Sequence, residues 1–266
     1  MRGRIMEEVH LWRGTADQRA LRSQLRKSGQ FAYFNRQLDY PDWTGLAVLD
    51  FGGNSGSLLL SPDCIIRPED YYCVDVIPEA LEEGRKRFPE AHWVHFNRYN
   101  CSFNPEGIDG LPIPDMGINF DMILAYSVFT HTTRDEMKEL VEQLQARLAP
   151  GGTLAFTFID PHFTAWPETY NGNNLKWRLE RARETNPRVD VEGLIEQSRG
   201  ADWCALVDGT PLYVNANGFW NSEARTCMTY DVFYTAESLQ REFSRSTIRP
   251  PVNGEMQHCC IIRRGL

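Results

Sequence analysis

The stretch that decides the fold is VLDFGGNSGSL, residues 48–58. An apolar run of strand-forming residues leads directly into three glycines, at positions 52, 53 and 56. A strand followed by a glycine-rich turn and a helix presents free backbone amides to a ligand, because glycine lets the main chain approach closely. The stretch therefore predicts a ligand-binding loop at the end of a buried strand.

The spacing within this loop separates three candidate ligands: a nucleoside triphosphate, a dinucleotide and S-adenosylmethionine (SAM). A Walker phosphate loop needs Gly-Lys-Ser/Thr at its end, whereas this loop ends in Gly56-Ser57-Leu58. The dinucleotide fingerprint G-x-G-x-x-G is not matched either. Asp50 lies two residues before the first glycine. A carboxylate there would repel a pyrophosphate but suits the ammonium of an amino acid, directly or through water.

Apolar runs and helical patterns alternate along the first 160 residues. Residues 78–88 have the pattern of a helix, and Thr133 with Glu136 fits a capping box at the start of another. Continuous apolar strands joined by helices indicate a doubly wound α/β sheet of mostly parallel strands, with its ligand site at the carboxyl ends of the strands. The predicted strands span 46–51, 71–76, 92–96, 120–126 and 153–160.

The rest of the chain is expected to flank a core at 45–160. Residues 1–44 predict an N-terminal helical cap, because apolar positions recur there at roughly helical spacing. Residues 161–225 contain turn clusters, a basic helix and many aromatic residues, and predict a lid-like insertion over the strand ends. Residues 226–266 predict one more helix and the strands that complete the sheet.

The composition of the chain limits the kinds of partner that the protein is expected to bind. The 266 residues carry a formal net charge of -8, which argues against a general nucleic-acid binder. No window approaches the roughly 18 apolar residues of a membrane span, and no secretory signal is expected. The seven cysteines form no C-x-x-C pair, which indicates reduced thiols and predicts a cytoplasmic location. The histidines lack ligand spacing, so no metal site is predicted.

Four motifs, in order along the chain, resemble those of the class I, Rossmann-like SAM-dependent methyltransferases. They are VLDFGGNSG (48–56), CVDVIPEALEEGRKRFP (73–89), FDMILAYSVFTH (120–131) and LVEQLQARLAPGGTLAFTF (140–158). The resemblance implies a seven-stranded, mostly parallel Rossmann-like sheet. One departure is Asn54, which replaces the family's middle glycine. Because asparagine tolerates a left-handed backbone, we expect the turn to survive.

The resemblance also implies SAM as cofactor and S-adenosylhomocysteine (SAH) as its product. Asp75 would bind the ribose hydroxyls, the loop after the third strand would contact adenine, and the loop after the fourth would lie beside the sulfonium. An alternative for the loop after the third strand is a turn held by asparagine side chains. The predicted cofactor-binding residues are Asp50, Gly52, Gly53, Asn54, Gly56, Asp75, Val76, Asn97, Arg98, Tyr99, Ala125 and Tyr126.

Three titratable residues are candidates for a catalytic base. His131 follows the fourth strand and could deprotonate a substrate hydroxyl or amine. The alternative is a histidine that hydrogen-bonds a loop carbonyl. Asp160 and His162, which follow the fifth strand, are further candidates. A carboxylate acceptor would need no base. The predicted walls of the substrate pocket are Phe163, Trp166 and Tyr170.

These residues predict a methyltransferase that acts on a small molecule, at oxygen or nitrogen, by in-line displacement. Two alternatives stay open. One is methylation of a macromolecule, protein or RNA, which the acidic net charge disfavours. The other is a SAM-binding fold that no longer methylates, for which Asn54 is the sequence hint.

Overall fold

The computed structural model describes residues 29–100, 102–163, 174–185, 187–207, 213–214, 230–252 and 255–265. Its strands are β1 (Val48–Phe51), β2 (Tyr71–Asp75), β3 (His92–His95), β4 (Phe120–Ala125), β5 (Leu148–Phe158), β6 (Trp203–Val207), β7 (Tyr213–Val214), β8 (Tyr230–Tyr234), β9 (Thr247–Arg249) and β10 (His258–Arg263). Its α-helices are α1 (29–37), α2 (Pro78–Arg87), α3 (Arg134–Ala146), α4 (Asn174–Thr185), α5 (Val191–Ser198) and α6 (Ala236–Glu242).

Among the described residues, seven strands form the main sheet in the order β3-β2-β1-β4-β5-β10-β9. Strands β1 to β5 are parallel, and β10 runs antiparallel to both β5 and β9. The chain builds outward from β1 to β3 and then continues on the other side with β4. The switch point therefore lies between β1 and β4, which is where such sheets bind ligands. The predicted doubly wound, seven-stranded, mostly parallel sheet is confirmed.

Buried side chains cover both faces of this sheet. All four residues of β1 are buried, as expected for a central parallel strand. Helix α3 packs one apolar stripe on the sheet and begins at the predicted capping box. The Glu136 amide donates to the Thr133 hydroxyl at 3.2 Å, and the Thr133 amide donates to the Glu136 carboxylate at 2.9 Å. The stripe consists of Met137, Leu140, Val141 and Leu144.

Helix α1 covers the opposite face of the sheet. Phe31 and Phe34 are buried there against residues of β4 and β10. A helix in the expected N-terminal cap is thus present at 29–37, while residues 1–28 of that cap lie outside the described residues. None of the helices in the described ranges is long and apolar enough to cross a bilayer.

The region after β5 contains a second sheet that the sequence analysis did not predict. Strands β7, β6 and β8 pair antiparallel in that order, after helices α4 and α5. The basic helix expected at 175–184 is found as α4. Strand β8 lies beyond residue 225, where the insertion was expected to end, and it nevertheless pairs with β6.

The second sheet packs against the loop after β4. Trp203 and Val232 join the core of the main sheet, and the Tyr234 hydroxyl donates to the Thr132 carbonyl at 3.2 Å. The second sheet therefore contacts the loop that follows the carboxyl end of β4.

Candidate active site

The loop after β1 adopts a backbone that few residues other than glycine accept. Gly52 has a φ of 76° and Gly56 a φ of 89°, while Asn54 has a φ of 54°. The expectation that asparagine would preserve the turn is confirmed. The Gly52 amide donates to the Val74 carbonyl at 2.7 Å, so the loop starts against the end of β2. A Cβ at Gly53 would lie 2.5 Å from the carboxyl carbon of Asp50.

Asp50 lies beneath this loop, with only 1% of its surface exposed. Its Oδ2 accepts a hydrogen bond from the Tyr71 hydroxyl at 2.6 Å. Burial raises the pKa of the Asp50 carboxyl to about 7; the negative charge of Asp75 adds to the rise, and the Tyr71 hydrogen bond opposes it. Asp50 therefore supports the loop from below, where a nearby ammonium group would stabilise its charged form.

Asp75 holds the same loop from the side. Its Oδ2 accepts from the Asn54 amide at 2.7 Å, and its Oδ1 accepts from the Ile77 amide at 2.9 Å. Burial raises the pKa of this carboxyl, while these backbone hydrogen bonds act in the opposite direction. Each carboxylate oxygen has a second lone pair, so Asp75 could still accept ligand hydroxyls. Val76 follows it and is half-buried.

The loop after β3 is held largely by its own side chains. The Asn104 side-chain amide donates to the Asn97 side-chain oxygen at 3.0 Å. The Arg98 guanidinium is buried and donates to both carboxylate oxygens of Glu139, at 2.7 and 3.1 Å. This ion pair lowers the pKa of Glu139. Tyr99 is half-buried against the core, and its amide donates to the Ile108 carbonyl at 2.9 Å. The Arg98 side chain thus faces α3.

The loop after β4 meets the loop after β1. Ala125 is fully buried, and the half-buried Tyr126 packs its ring edge-on against Tyr33 of α1, with centroids 5.3 Å apart. A Cβ added at Gly52 would clash with the Val128 side chain, so the two loops approach closely only because position 52 is glycine. The two loops and Asp75 are therefore brought together at the switch point.

His131 joins the loop after β4 to the loop after β3. The Asn100 side-chain amide donates to the His131 carbonyl at 2.9 Å. The half-buried imidazole packs edge-on against Phe103, with ring centroids 5.1 Å apart. His131 thus lies at the carboxyl edge of the sheet, as the sequence predicts.

Asp160 and His162 lie instead with the insertion. The Asp160 carboxylate accepts from the His162 amide at 2.8 Å and from the Ala236 amide at 2.9 Å. The His162 Nε2 lies 3.3 Å from the Ser198 carbonyl oxygen. His162 also lines an open cleft of about 400 Å³ with residues 199–202 and Thr235. Asp160 therefore joins the start of the insertion, at His162, to the start of α6, at Ala236.

The predicted pocket walls are only partly described. Phe163 packs edge-on against His258, with ring centroids 4.9 Å apart. Trp166 and Tyr170 lie outside the described residues. His258 itself was missed by the sequence analysis. It stacks on Phe158 at 5.1 Å and is 6% exposed, and its Nδ1 has no hydrogen-bond partner among the described residues.

The position of His258 follows from strand direction. Because β10 is antiparallel to β5, its first residue lies at the edge where the parallel strands end. That placement could have been inferred only by predicting the direction of the last strand. Burial lowers the pKa of His258, against the opposing charges of Asp160 and Glu237. Within the part of the chain that the structure describes, no group of three His, Cys, Asp or Glu residues could hold a metal ion.

Comparison with known proteins shows which domain and which fold this chain has. Residues 49–154 match the family model described as a methyltransferase domain. Magnesium protoporphyrin IX methyltransferase from Synechocystis PCC 6803, solved with bound SAH, is 10% identical with a TM-score of 0.51 over 98% of this chain and 93% of that one. An amino pentose methyltransferase from Micromonospora echinaspora, solved with bound SAM, is 14% identical with a TM-score of 0.50 over 96% and 98%.

A third solved structure has the same fold. It is a glycopeptide N-methyltransferase in complex with sinefungin, 9% identical, with a TM-score of 0.51 over 90% of this chain and 94% of that one. The domain match and the shared Rossmann-like fold agree with the class I methyltransferase resemblance that the four motifs predict. Residues 49–154 are thus a methyltransferase domain, and the whole chain has the fold of solved SAM-dependent methyltransferases.

The residues present fit this cofactor. The glycine loop leaves its backbone accessible, and side chains at positions 52 and 53 would clash with Val128 and Asp50. Two buried carboxylates, those of Asp50 and Asp75, support the loop and suit a ligand that carries an ammonium group and ribose hydroxyls.

Replacing Asp50 by asparagine tests the buried carboxyl. The folded protein holds a proton on Asp50 up to about pH 7, whereas the ordinary pKa of the group is 3.8. Between pH 3.8 and about pH 7 the folded state therefore binds more protons than the unfolded chain. The free energy of unfolding of the protein then falls as the pH rises through this range, by at most about 1.4 kcal/mol per pH unit. The asparagine side chain in Asp50→Asn cannot ionise, so the free energy of unfolding of this variant does not show this decrease.

Urea unfolding without cofactor measures the difference. We expect Asp50→Asn to gain stability relative to the unaltered protein from about pH 5 to pH 7, and little more at higher pH. The exposed substitution Asp63→Asn is the control, and its curve should run parallel to that of the unaltered protein. A parallel curve for Asp50→Asn would contradict a buried carboxyl with a raised pKa.

Proposed function

We propose that this methyltransferase acts on a small molecule, at a hydroxyl oxygen or an amine nitrogen. The observation that carries the proposal is the packing around the loop after β4: Tyr33 of α1 packs against Tyr126, and Tyr234 joins the β7-β6-β8 sheet to Thr132. A covered site admits a compact acceptor more readily than a macromolecular surface. Two of the similar structures are named for magnesium protoporphyrin IX and for an amino pentose, which supports the proposal by analogy.

The proposed cofactor contacts divide among the loops. The loop at residues 52–56 and the charge of Asp50 would hold the amino-acid part, and Asp75 would accept the ribose hydroxyls. Asn97 and Tyr99 would contact adenine through polar groups that the hydrogen bonds within the loop do not use. Arg98 would contribute through its backbone, because its guanidinium binds Glu139. Ala125, Tyr126 and Val76 would complete the lining.

Bound SAM supplies a methyl group on a positively charged sulfur. The protein would align the acceptor with this group and exclude water, terms that are worth about 7–11 kcal/mol in favourable intramolecular reactions.

We propose His131 as the base for an acceptor that must lose a proton. It lies in the loop beside the cofactor loop, whereas the Asp160 oxygens accept from the backbone amides of His162 and Ala236. Phe163, Trp166 and Tyr170 remain proposed pocket walls. Cytoplasmic location and independence of nucleic acid remain predictions.

A product assay tests the proposed function. Purified protein with SAM is offered panels of small hydroxyl, amine and carboxylate compounds, and in parallel bulk protein and bulk RNA, and released SAH is measured. We expect release with a small hydroxyl or amine compound and none with the macromolecules. The rate should be unchanged by a chelator, because no metal site is predicted. Release with protein or RNA alone would contradict the proposal, and loss of activity on chelation that zinc or magnesium restores would contradict the metal prediction.

Substitution of Asp75 by alanine tests the ribose contact. Two hydroxyls lose a charged acceptor, and the Asn54 amide loses its partner, so SAH binding should weaken by about 1.5–3 kcal/mol, roughly 10- to 150-fold. Calorimetric titration of the folded variant with SAH measures this. A dissociation constant equal to that of the unaltered protein would remove Asp75 from the site.

Asp121→Ala is the matched control for this experiment. Asp121 also accepts a backbone hydrogen bond, from the Ala47 amide at 2.9 Å, but it lies at the amino end of β4, away from the loops. The control variant should unfold at lower urea concentration and bind SAH as the unaltered protein does.

Substitution of His131 by alanine or asparagine tests the proposed base, with a hydroxyl or amine acceptor identified first. SAH affinity should change little, whereas turnover should fall by about 10²–10⁴, the usual contribution of a positioned base. The rate should also lose a titration between about pH 5 and pH 8.

A structural His131 would behave differently. The variant would melt lower, and the turnover of its folded fraction would match that of the unaltered protein. His92→Ala is the control, since His92 is exposed at the amino end of β3. Near-normal turnover in a folded His131 variant would rule out this base and leave Asp160 and His162 as candidates.

A further inference from the structure

Ser127 holds an unusual backbone conformation beside the proposed cofactor lining. Its φ is 58°, in the left-handed region that residues with a side chain adopt at an energetic cost. Its amide donates a 2.7 Å hydrogen bond to the Thr157 hydroxyl in the neighbouring strand β5. A side-chain group on another strand therefore fixes the residue that directly follows Tyr126.

The same hydroxyl continues into a chain of buried hydrogen bonds. Thr157, which is fully buried, donates to the side-chain oxygen of Gln257. The backbone carbonyl of Gln257 accepts from the Tyr33 hydroxyl at 3.1 Å. The Tyr33 ring packs edge-on against Tyr126. The chain starts at Ser127 and returns to Tyr126, and it links the loop after β4, strand β5, the segment before β10 and helix α1.

We propose that Thr157 is a positioning residue for the cofactor. Its hydroxyl uses one lone pair to hold the Ser127 amide and its proton to bind Gln257, so the left-handed turn that follows Ala125 and Tyr126 has one arrangement. The proposal rests on the proposed contact of Ala125 and Tyr126 with SAM. It does not depend on the identity of the acceptor.

The strand itself has no need of this hydroxyl. Thr157 pairs with Cys259 through the backbone ladder of β5 and β10, and a β-branched side chain of the same shape fits a central strand. Thr157→Val therefore keeps the shape and removes both hydrogen bonds. Thr157→Ser keeps both hydrogen bonds and removes a methyl group.

Calorimetric titration with SAH tests the positioning role. If the released turn keeps the binding geometry for about a tenth of the time, the dissociation constant of Thr157→Val rises about tenfold. Thr157→Ser should bind within about twofold of the unaltered protein. A purely structural threonine would lower the melting temperature of Thr157→Val and leave SAH affinity intact, and that result overturns the proposal.

A double substitution separates the turn from other effects. Glycine adopts a positive φ without the steric cost, so a turn with glycine at position 127 depends less on Thr157. The rise in the SAH dissociation constant that Thr157→Val causes should therefore be at least threefold smaller in the Ser127→Gly protein than in the unaltered protein. An equal effect in both backgrounds overturns the proposal.

A second route remains if Thr157→Val does not fold. Gln257→Met removes the acceptor of the threonine proton at similar volume, and SAH affinity should fall several-fold; unchanged affinity overturns the proposal. Failure of the unaltered protein to bind SAH would overturn the cofactor assignment together with the positioning role. Normal SAH binding without methylation of any small molecule would overturn only the proposed acceptor class.

Discussion

The hydrogen bond from the Asn54 amide to the Asp75 carboxylate is the interaction on which the site depends. It fixes the loop after β1 to the end of β2, while the other oxygen of the same carboxylate caps the turn at Ile77. Without it, the start of the loop would still be held by the Gly52 amide on the Val74 carbonyl, but its centre at Asn54 would lose this link to β2. Because the loop is held in this way, its amides already have one arrangement when a ligand arrives, and little ordering entropy is lost on binding.

This arrangement carries an electrostatic cost that a cation offsets. Asp50 and Asp75 are both buried, and the charge of Asp75 contributes to the raised pKa of Asp50. Backbone amides and the Tyr71 hydroxyl compensate only part of the lost hydration. A ligand with a positive charge near the loop favours the charged form of these carboxyls. The protein without ligand is therefore less stable than its packing would allow, and binding relieves that cost.

The parts of the molecule that the sequence predicted are those set by local patterns. The glycine loop, the tolerance of Asn54 for a left-handed backbone and the capping box of Thr133 each depend on a few adjacent residues. The apolar runs that predicted the parallel strands are also patterns of a few adjacent residues. Such features are independent of which distant segment packs against them, so pattern and spacing are sufficient to find them.

The features that the sequence analysis missed depend on contacts between distant segments. The ion pair that occupies Arg98 joins residues 41 positions apart, and Thr157 meets Gln257 from 100 positions away. Strand β8 belongs to the second sheet because it pairs with β6, which its own composition does not reveal. His258 was missed because its place at the carboxyl edge follows from strand direction. Propensity and periodicity carry no information on such pairings.

The order β5-β10-β9 has a consequence for how the protein is made. Among the strands that the structure describes, β9 pairs with the main sheet only through β10, which follows it in the chain. Until residues 258–263 leave the ribosome, β5 presents an unpaired and strongly apolar edge, formed by residues that are buried in the finished fold. Open apolar edges pair readily with other chains. Residues 258–263 therefore close an edge of β5 that would otherwise be open to pairing with another chain.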